Sequence, residues 1–433
     1  MFIHDYMEVN SSGNLVIGGC DCTHLAKEYG TPLYVMDEMR IRESMRRYKD
    51  SIDKFYNGHG RALYASKAFS AGYIYKMAKE EGLGVDVVSG GELYTAVKSG
   101  FDPAKIVFHG NNKSYDEIKM AIDLGVGRLV VDGEGEIEMI DAISREKGVK
   151  TKILIRVKPG VDAHTHQFIS TGQIDCKFGF AIENGEAIEF IKKALNFDTI
   201  EIMGLHCHIG SQIFLFEPFK CCAEIMMNFY AQLKDELGLR LPELNLGGGF
   251  GIKYIEDDTP VSYEGYIEAV SGVIRDICTA EDLEVPFIYM EPGRSIVGDA
   301  GTTLYTVGTI KDIEHVRKYV SIDGGMADNP RYILYGSEYD GVLANRANEK
   351  EAETVTVCGK CCESGDIIIE NCKLPKAQRG DIMAIMSTGA YNYSMSSNYN
   401  RIPRPPVVMV KDGESKVIVK RETYDDIIKN DIF

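Results

Sequence analysis

Arg61-Ala62-Leu63-Tyr64-Ala65-Ser66-Lys67-Ala68 is a short apolar run that ends on an amine, and the chain goes on repeating that pattern. Further apolar runs at 84–89, 106–110, 128–132, 152–157, 201–208, 243–246 and 287–290 read, with 61–66, as strands. Between them lie amphipathic stretches at 70–81, 115–124, 134–147, 183–194, 217–237 and 263–279, so the segment alternates strand and helix as βα units do. About eight such units close a (β/α)8 TIM-like barrel, whose strand C-termini converge on one mouth where chemistry is built. A lysine on that rim, once partly desolvated, can give up its proton and form an imine with a carbonyl.

The character changes after Gly298. Runs at 316–322, 354–358, 366–369, 381–386, 407–410 and 415–419 are short, β-branched and separated by Gly, Asp, Pro or Lys. No helical period intervenes, which predicts a second, mainly antiparallel β domain. Strand-like runs at 15–17 and 33–36 assign the head of the chain to that domain. The expected division is therefore a barrel over 38–296 and a β domain made of 1–37 plus 297–433.

Composition narrows the function classes. A chain of 433 residues with a formal charge of −17 and no Lys/Arg-rich tract is not built for nucleic acid. No apolar run approaches the roughly 20 residues that span a bilayer. Met1-Phe2-Ile3-His4-Asp5 has neither a basic nor an apolar region of signal-peptide type. Eleven cysteines, an odd number without a small-domain framework, point to free thiols and a cytoplasmic setting. Cys358 and Cys361 form one Cys-x-x-Cys pair, short of a four-ligand zinc pattern.

The strand ends carry the functional signal. Strand one gives Lys67; strand two gives Asp86 and Ser89-Gly90-Gly91-Glu92; strand three ends His109-Gly110-Asn111; strand five passes through Arg156. Strand six ends His206-Cys207-His208-Ile209-Gly210-Ser211, strand seven Gly247-Gly248-Gly249, and strand eight Glu291-Pro292-Gly293-Arg294. An amine, carboxylates, imidazoles, guanidinium groups and bare backbone suit a phosphorylated ring cofactor. Glycines let backbone N–H groups approach an anion, with a following helix to add its dipole, and Ser211 and Arg294 could bind the same phosphate. A carboxylate at Glu291 facing a pyridine nitrogen keeps it protonated. His206 and His208 alternate along a strand, so both are expected to point the same way, one of them stacking on the ring.

With these residues in hand, the chain resembles the alanine-racemase-fold, pyridoxal-phosphate-dependent decarboxylases of basic amino acids, and within them the branch acting on meso-2,6-diaminopimelate. The likeness runs from Pro32-Leu33-Tyr34-Val35 to Ile402-Pro403-Arg404-Pro405 and includes Tyr64-Ala65-Ser66-Lys67-Ala68, Ser89-Gly90-Gly91-Glu92-Leu93 and Cys362-Glu363-Ser364-Gly365-Asp366. The resemblance implies that Lys67 carries pyridoxal 5′-phosphate, His208 stacks on it, and Ser211, Gly247, Gly248, Gly249 and Arg294 hold its phosphate region. Asp86, Arg156, Gly293 and Tyr391 join the cofactor site, with Glu291 at the ring nitrogen. Arg331 and Tyr335 keep the family's spacing for substrate binding, although Tyr332 stands where proline is usual. Cys362 and Glu363 would reach the partner's site in a homodimer, and Tyr391 would touch cofactor and substrate.

The implied reaction releases CO2 and leaves L-lysine, with Cys362 as proton donor. Arg294, Arg331 and Tyr335 suit a distal carboxylate, and Glu363 a distal ammonium. The competing readings are an ornithine- or lysine-type decarboxylase, a racemase, a non-catalytic carrier of the cofactor, and a metal-dependent barrel hydrolase using His206-x-His208 and His164-x-His166. The polar loop 164–172 is a candidate cover for the substrate.

Overall fold

The computed structural model describes residues 3–161 and 175–433; the His164-x-His166 pair and the 164–172 loop lie outside the described residues. Two compact units emerge, one of Met45–Gly251 with Pro260–Gly293, the other of Met1–Ser44, Ile252–Thr259 and Arg294–Phe433.

In the first unit eight strands form a closed parallel barrel: Gly60–Ala65, Gly84–Val87, Ile106–Phe108, Arg128–Val131, Thr151–Lys158, Ile200–His206, Glu243–Asn245 and Phe287–Met290. Each pairs in parallel with the next, and the last returns to the first through Ile288 opposite Gly60. Inward side chains Leu63, Val107, Val130, Leu154 and Tyr289 come from five different strands and fill the interior as one cluster. Each contributes roughly 1.5–3 kcal/mol by leaving water, so this is a packed core, and the polar strand ends sit above it.

The helices begin and end where side chains dictate. Ser114 caps Tyr115–Leu124 in a reciprocal box with Glu117, and left-handed Gly125 closes it. Glu134–Lys147 and Glu217–Leu237 also stop at left-handed glycines, Gly148 and Gly238. Glu38–Phe55 and Gly90–Lys98 were not among the expected stretches, nor was Cys22–Tyr29 in the other unit.

The second unit is a sheet organised on Gly301–Ile313, a strand of 13 residues that the sequence reading did not single out. It pairs antiparallel with Leu33–Asp37, Ile382–Ile385 and Arg317–Ile322. Two pairings are parallel, Val407–Lys411 with Leu33–Asp37 and Arg317–Ile322 with Glu353–Cys358. Val407–Lys411 turns back into Glu414–Val419 through Asp412-Gly413, both at positive φ, the turn that matches strand twist. Neighbouring residues feed opposite faces: Leu304, Ala384 and Met386 join one core, Tyr305, Met383 and Ile385 another. Both faces are covered, which explains strands that lack polar alternation. Among the described residues, no helix is long and apolar enough to cross a membrane.

Candidate active site

Lys67 stands on a single helical turn, Ser66–Ala68, where the first barrel strand ends, exposed between two buried neighbours. The turn is held from behind. Ser66 Oγ donates to Glu92 Oε2 at 2.7 Å, and the same oxygen accepts from the Val88 backbone N–H at 2.8 Å. Ser89 caps the helix that carries Glu92. The Ser89-Gly90-Gly91-Glu92 motif thereby ties the loop bearing the amine to the end of the second strand.

Glu291, 8% exposed, is the centre of the barrel's polar group. His109 Nε2 lies 2.7 Å from its Oε1, and Asn245 Nδ2 donates to that oxygen at 2.7 Å. His206 Nε2 approaches Oε2 at 3.3 Å. Burial alone would raise the carboxyl, but the two imidazoles outweigh it and hold Glu291 well below the usual carboxylate range. Burial pushes His206 down to about 3, against the pull of Glu291. A carboxylate only accepts, so His206 presents its Nε2 proton as a neutral ring. The His109 and His206 rings meet edge to face at 4.7 Å.

His208 faces elsewhere. The strand stops at His206, so the expected alternation does not carry on to His208. Its Nδ1 accepts from the Gly248 N–H at 3.3 Å, which leaves the proton on Nε2. Burial, then the neighbouring Lys67 charge, keeps this imidazole neutral. The His206-x-His208 pair therefore does not converge on one point. Asp86, also buried, is pushed up to about 7 by burial, with His109 and Lys67 pulling it down and Glu291 pushing it further up.

The glycine triplet is a wedge between strand ends. A Cβ on Gly248 would sit 2.2 Å from the Glu291 carbonyl oxygen, and one on Gly247 2.5 Å from that of Cys207. Gly247 is at φ 69 and donates to Asn245 Oδ1 at 2.9 Å. The helix expected to follow does not; the next begins at Tyr263. Arg156 lies 3.6 Å from Asp132 and 4.1 Å from the Phe178 ring, and Ser211 is half-buried just beyond His208. Gly293 packs against Ala65, where its Cβ would come within 2.9 Å of that methyl.

The remaining candidates belong to the β unit. Arg294 donates to the Tyr254 hydroxyl, and its guanidinium lies 4.9 Å from the Tyr391 ring. Arg331 is 4.9 Å from that ring and 4.9 Å from the Tyr335 ring. Two guanidinium groups thus share one tyrosine, whose backbone is held at φ 69, a strained conformation for a bulky residue. Arg331 is 5% exposed and its Nε finds no hydrogen-bond partner among the described residues. Cys362 and Glu363 are exposed, with the Cys362 N–H on Asn400 Oδ1 at 2.8 Å.

His109 and Asn245 were not assigned a role from sequence, and His206 was weighed there only as a ring-stacking or metal-ligating group. Asn245, fully buried between Leu244 and Leu246 at a strand end, is the signal that would have exposed the group.

Residues 38–298 match the family model for pyridoxal-dependent decarboxylases, pyridoxal binding domain. A diaminopimelate decarboxylase of Bacillus methanolicus is 50% identical over 98% of this chain and 98% of its own. One of Bacillus subtilis (strain 168) is 48% identical over 100% of this chain and 98% of its own. The diaminopimelate decarboxylase of M. jannaschii, solved with L-lysine, superposes with a TM-score of 0.92 at 36% identity, covering 99% of this chain and 98% of that one. A barrel ending in an amine, an ionised buried acid and a glycine wedge thus agrees with full-length likeness: the chain belongs to the pyridoxal-dependent decarboxylase family.

Proposed function

We propose that this chain decarboxylates meso-2,6-diaminopimelate to L-lysine and CO2 with pyridoxal 5′-phosphate, the last step of lysine biosynthesis. Relatives named for that activity match it over 98% or more of its length at 46–50% identity. The observation that carries the substrate choice is Arg331, buried against Tyr335 and Tyr391 with an unpartnered Nε. Diaminopimelate brings a second carboxylate to such a group. Ornithine and lysine do not, and a buried arginine left unpaired costs several kcal/mol.

The barrel residues fit the cofactor: Lys67 offers an amine, Glu291 is held ionised, and Gly247 to Gly249 leave backbone where a side chain would collide. When bound, the cofactor supplies an electron sink for the carbanion left as CO2 departs. Lys67 tethers it, and Glu291 opposite the ring nitrogen keeps that nitrogen protonated. His208, a neutral ring, packs on its face. Ser211, the three glycines and Arg294 hold the phosphate end, with Asp86, Arg156, Gly293 and Tyr391 completing the surroundings. Arg294, Arg331 and Tyr335 bind the distal carboxylate, and Tyr391 touches cofactor and substrate. Cys362 and Glu363 of the partner subunit donate the proton and pair with the distal ammonium, which makes the active form a homodimer. All eleven cysteines are free thiols, in keeping with a cytoplasmic enzyme.

The test is activity on meso-diaminopimelate, L-lysine and L-ornithine, for wild type and Arg331→Ala. Preference for diaminopimelate, lost with Arg331, is expected; a wild type that prefers ornithine overturns the assignment. For the shared site, mixing inactive Lys67→Ala and Cys362→Ala chains should regenerate one intact site per heterodimer. No recovery under conditions shown to exchange subunits counts against it.

A further inference from the structure

Glu291 does not stand alone opposite the proposed ring nitrogen. Three side chains from three other strand ends converge on it: His109 after the third strand, His206 at the end of the sixth, and Asn245 at the end of the seventh. Both carboxylate oxygens are approached: Asn245 Nδ2 donates to Oε1 at 2.7 Å, His109 Nε2 lies 2.7 Å from the same oxygen without the alignment of a hydrogen bond, and His206 Nε2 reaches Oε2 at 3.3 Å. Asn245 is itself anchored, because its Oδ1 accepts from Gly247 N–H. His206 has no freedom to compensate for a lost neighbour, being 1% exposed with its Nδ1 unpartnered among the described residues.

We infer that His109 is the positioning residue for Glu291: placed 2.7 Å from Oε1, it fixes the carboxylate in the one orientation in which it can face the cofactor's ring nitrogen. The inference rests on the reading of Glu291 given above and deepens it by naming what holds that group. Removing His109 leaves Oε1 with Asn245 alone, and the carboxylate gains a rotation it does not now have. The charged and titratable groups facing Glu291 from the packed elements are His109, His206, His208, Asp86 and Cys207. Of these, His109 and His206 reach its oxygens and oppose the burial that would otherwise favour the protonated acid. Asp86 works the other way, adding negative charge beside His109. His109 is therefore the group whose loss leaves two carboxyls in one dry site without the imidazole that both of them face.

The experiment uses the holoenzyme loaded with pyridoxal phosphate carrying 15N in the ring, so that the nitrogen's chemical shift reports its protonation directly. Wild type should show the protonated signal across neutral pH. In His109→Ala the signal should move toward the unprotonated position and become dependent on pH, with kcat down about a hundredfold, the cost of misplacing a reacting group by roughly an ångström. KM should change far less. His109→Gln, which restores an N–H at similar reach, should recover most of the 15N signal, an effect that a merely structural role would not produce. If the alanine variant fails to fold, His109→Asn keeps a polar group but is too short to reach Oε1, and should read the same. Glu291→Gln separates the two levels. If it moves the 15N signal and the His109 variants do not, the positioning role is overturned while the Glu291 reading stands. If Glu291→Gln itself leaves the signal at the wild-type position, that reading falls and takes this inference with it.

Discussion

The two compact units bury charge in opposite ways. In the barrel, Glu291 has a donor group facing each oxygen, and the strand ends that supply those groups are locked to one another. In the β unit, Arg331 is just as buried, 5% exposed against 8% for Glu291, yet it meets aromatic faces and keeps an unpartnered Nε. A buried carboxylate with matched donors is preorganised: it costs no rearrangement when a cation arrives. A buried guanidinium flanked by two rings, its Nε unpartnered among the described residues, stores a desolvation cost that an arriving carboxylate relieves. The first arrangement suits a permanent resident, the second a visitor.

The largest effect comes from removing the amine that both halves presuppose. Lys67→Ala should lower activity by at least roughly four orders of magnitude, the scale seen when a covalent catalytic group is deleted. Borohydride should fix the cofactor to the Lys67 peptide of wild type, as read by mass spectrometry, and to no peptide of the variant. A variant still modified elsewhere would break the barrel side of the comparison.

Stability without ligands sharpens the contrast. Asn245→Ala removes a donor to Glu291 and the acceptor of Gly247, and should destabilise by about 1–3 kcal/mol in urea, the cost of leaving buried polar groups unsatisfied. Arg331→Ala deletes a buried charge without such partners and should be neutral within about 0.5 kcal/mol, or stabilising. Equal losses in the two variants would erase the difference between the sites.

Acid and base sharpen it further, because two buried barrel groups carry shifts of opposite consequence. Asp86 is raised to about 7, so the stability linked to its protonated form is complete below the unfolded carboxylate range and lost as pH rises toward 7. His206 is depressed to about 3, so the native state binds fewer protons than the unfolded one, and stability falls as pH drops below about 6.5. Asp86→Asn should therefore stabilise the apo protein by roughly 1–3 kcal/mol above pH 7, shrinking toward nothing near pH 4. Urea midpoints across that range check it. A gain that grows on acidification would reverse the sign assigned to Asp86.

Much of this was legible before the fold was known, and the exceptions have physical causes. All eight barrel strands coincide to within a few residues with the apolar runs read from sequence, because strands buried on both faces must be continuous in apolar residues. The helix Glu38–Phe55 was missed because its charged residues dominate a casual reading. Its core positions Ile41, Met45, Tyr48 and Ile52 recur at spacings of four, three and four, and all are buried. The helix Gly90–Lys98 hid behind two opening glycines that look like loop until Ser89 is recognised as its cap. Lys67, Glu291 and the glycine triplet were legible as polar punctuation after apolar runs. The grip of His109, His206 and Asn245 on Glu291 was not, since it joins residues from 46 to 182 positions away that only barrel closure brings together.

The smallest expected effect concerns Tyr332, next to Arg331, where proline is usual in the family. Tyr332 is the second residue of the short helix Arg331–Tyr335, a position whose N–H has no acceptor within the helix, so Tyr332→Pro forfeits no helical hydrogen bond. Its carbonyl, which accepts from Gly336 N–H at 2.8 Å, survives the change. Against this, a proline disfavours helical backbone in the residue before it, which is Arg331 itself. The two effects oppose each other, and Tyr332→Pro should leave stability within about 1 kcal/mol and KM for diaminopimelate within about threefold. A rise in KM well beyond that, with kcat unchanged, would mean that the Arg331 backbone is set by its neighbour. In that case the anion-seeking posture of the guanidinium belongs to the whole turn from Pro330 to Gly336, and the contrast with the rigid Glu291 cradle becomes one of degree.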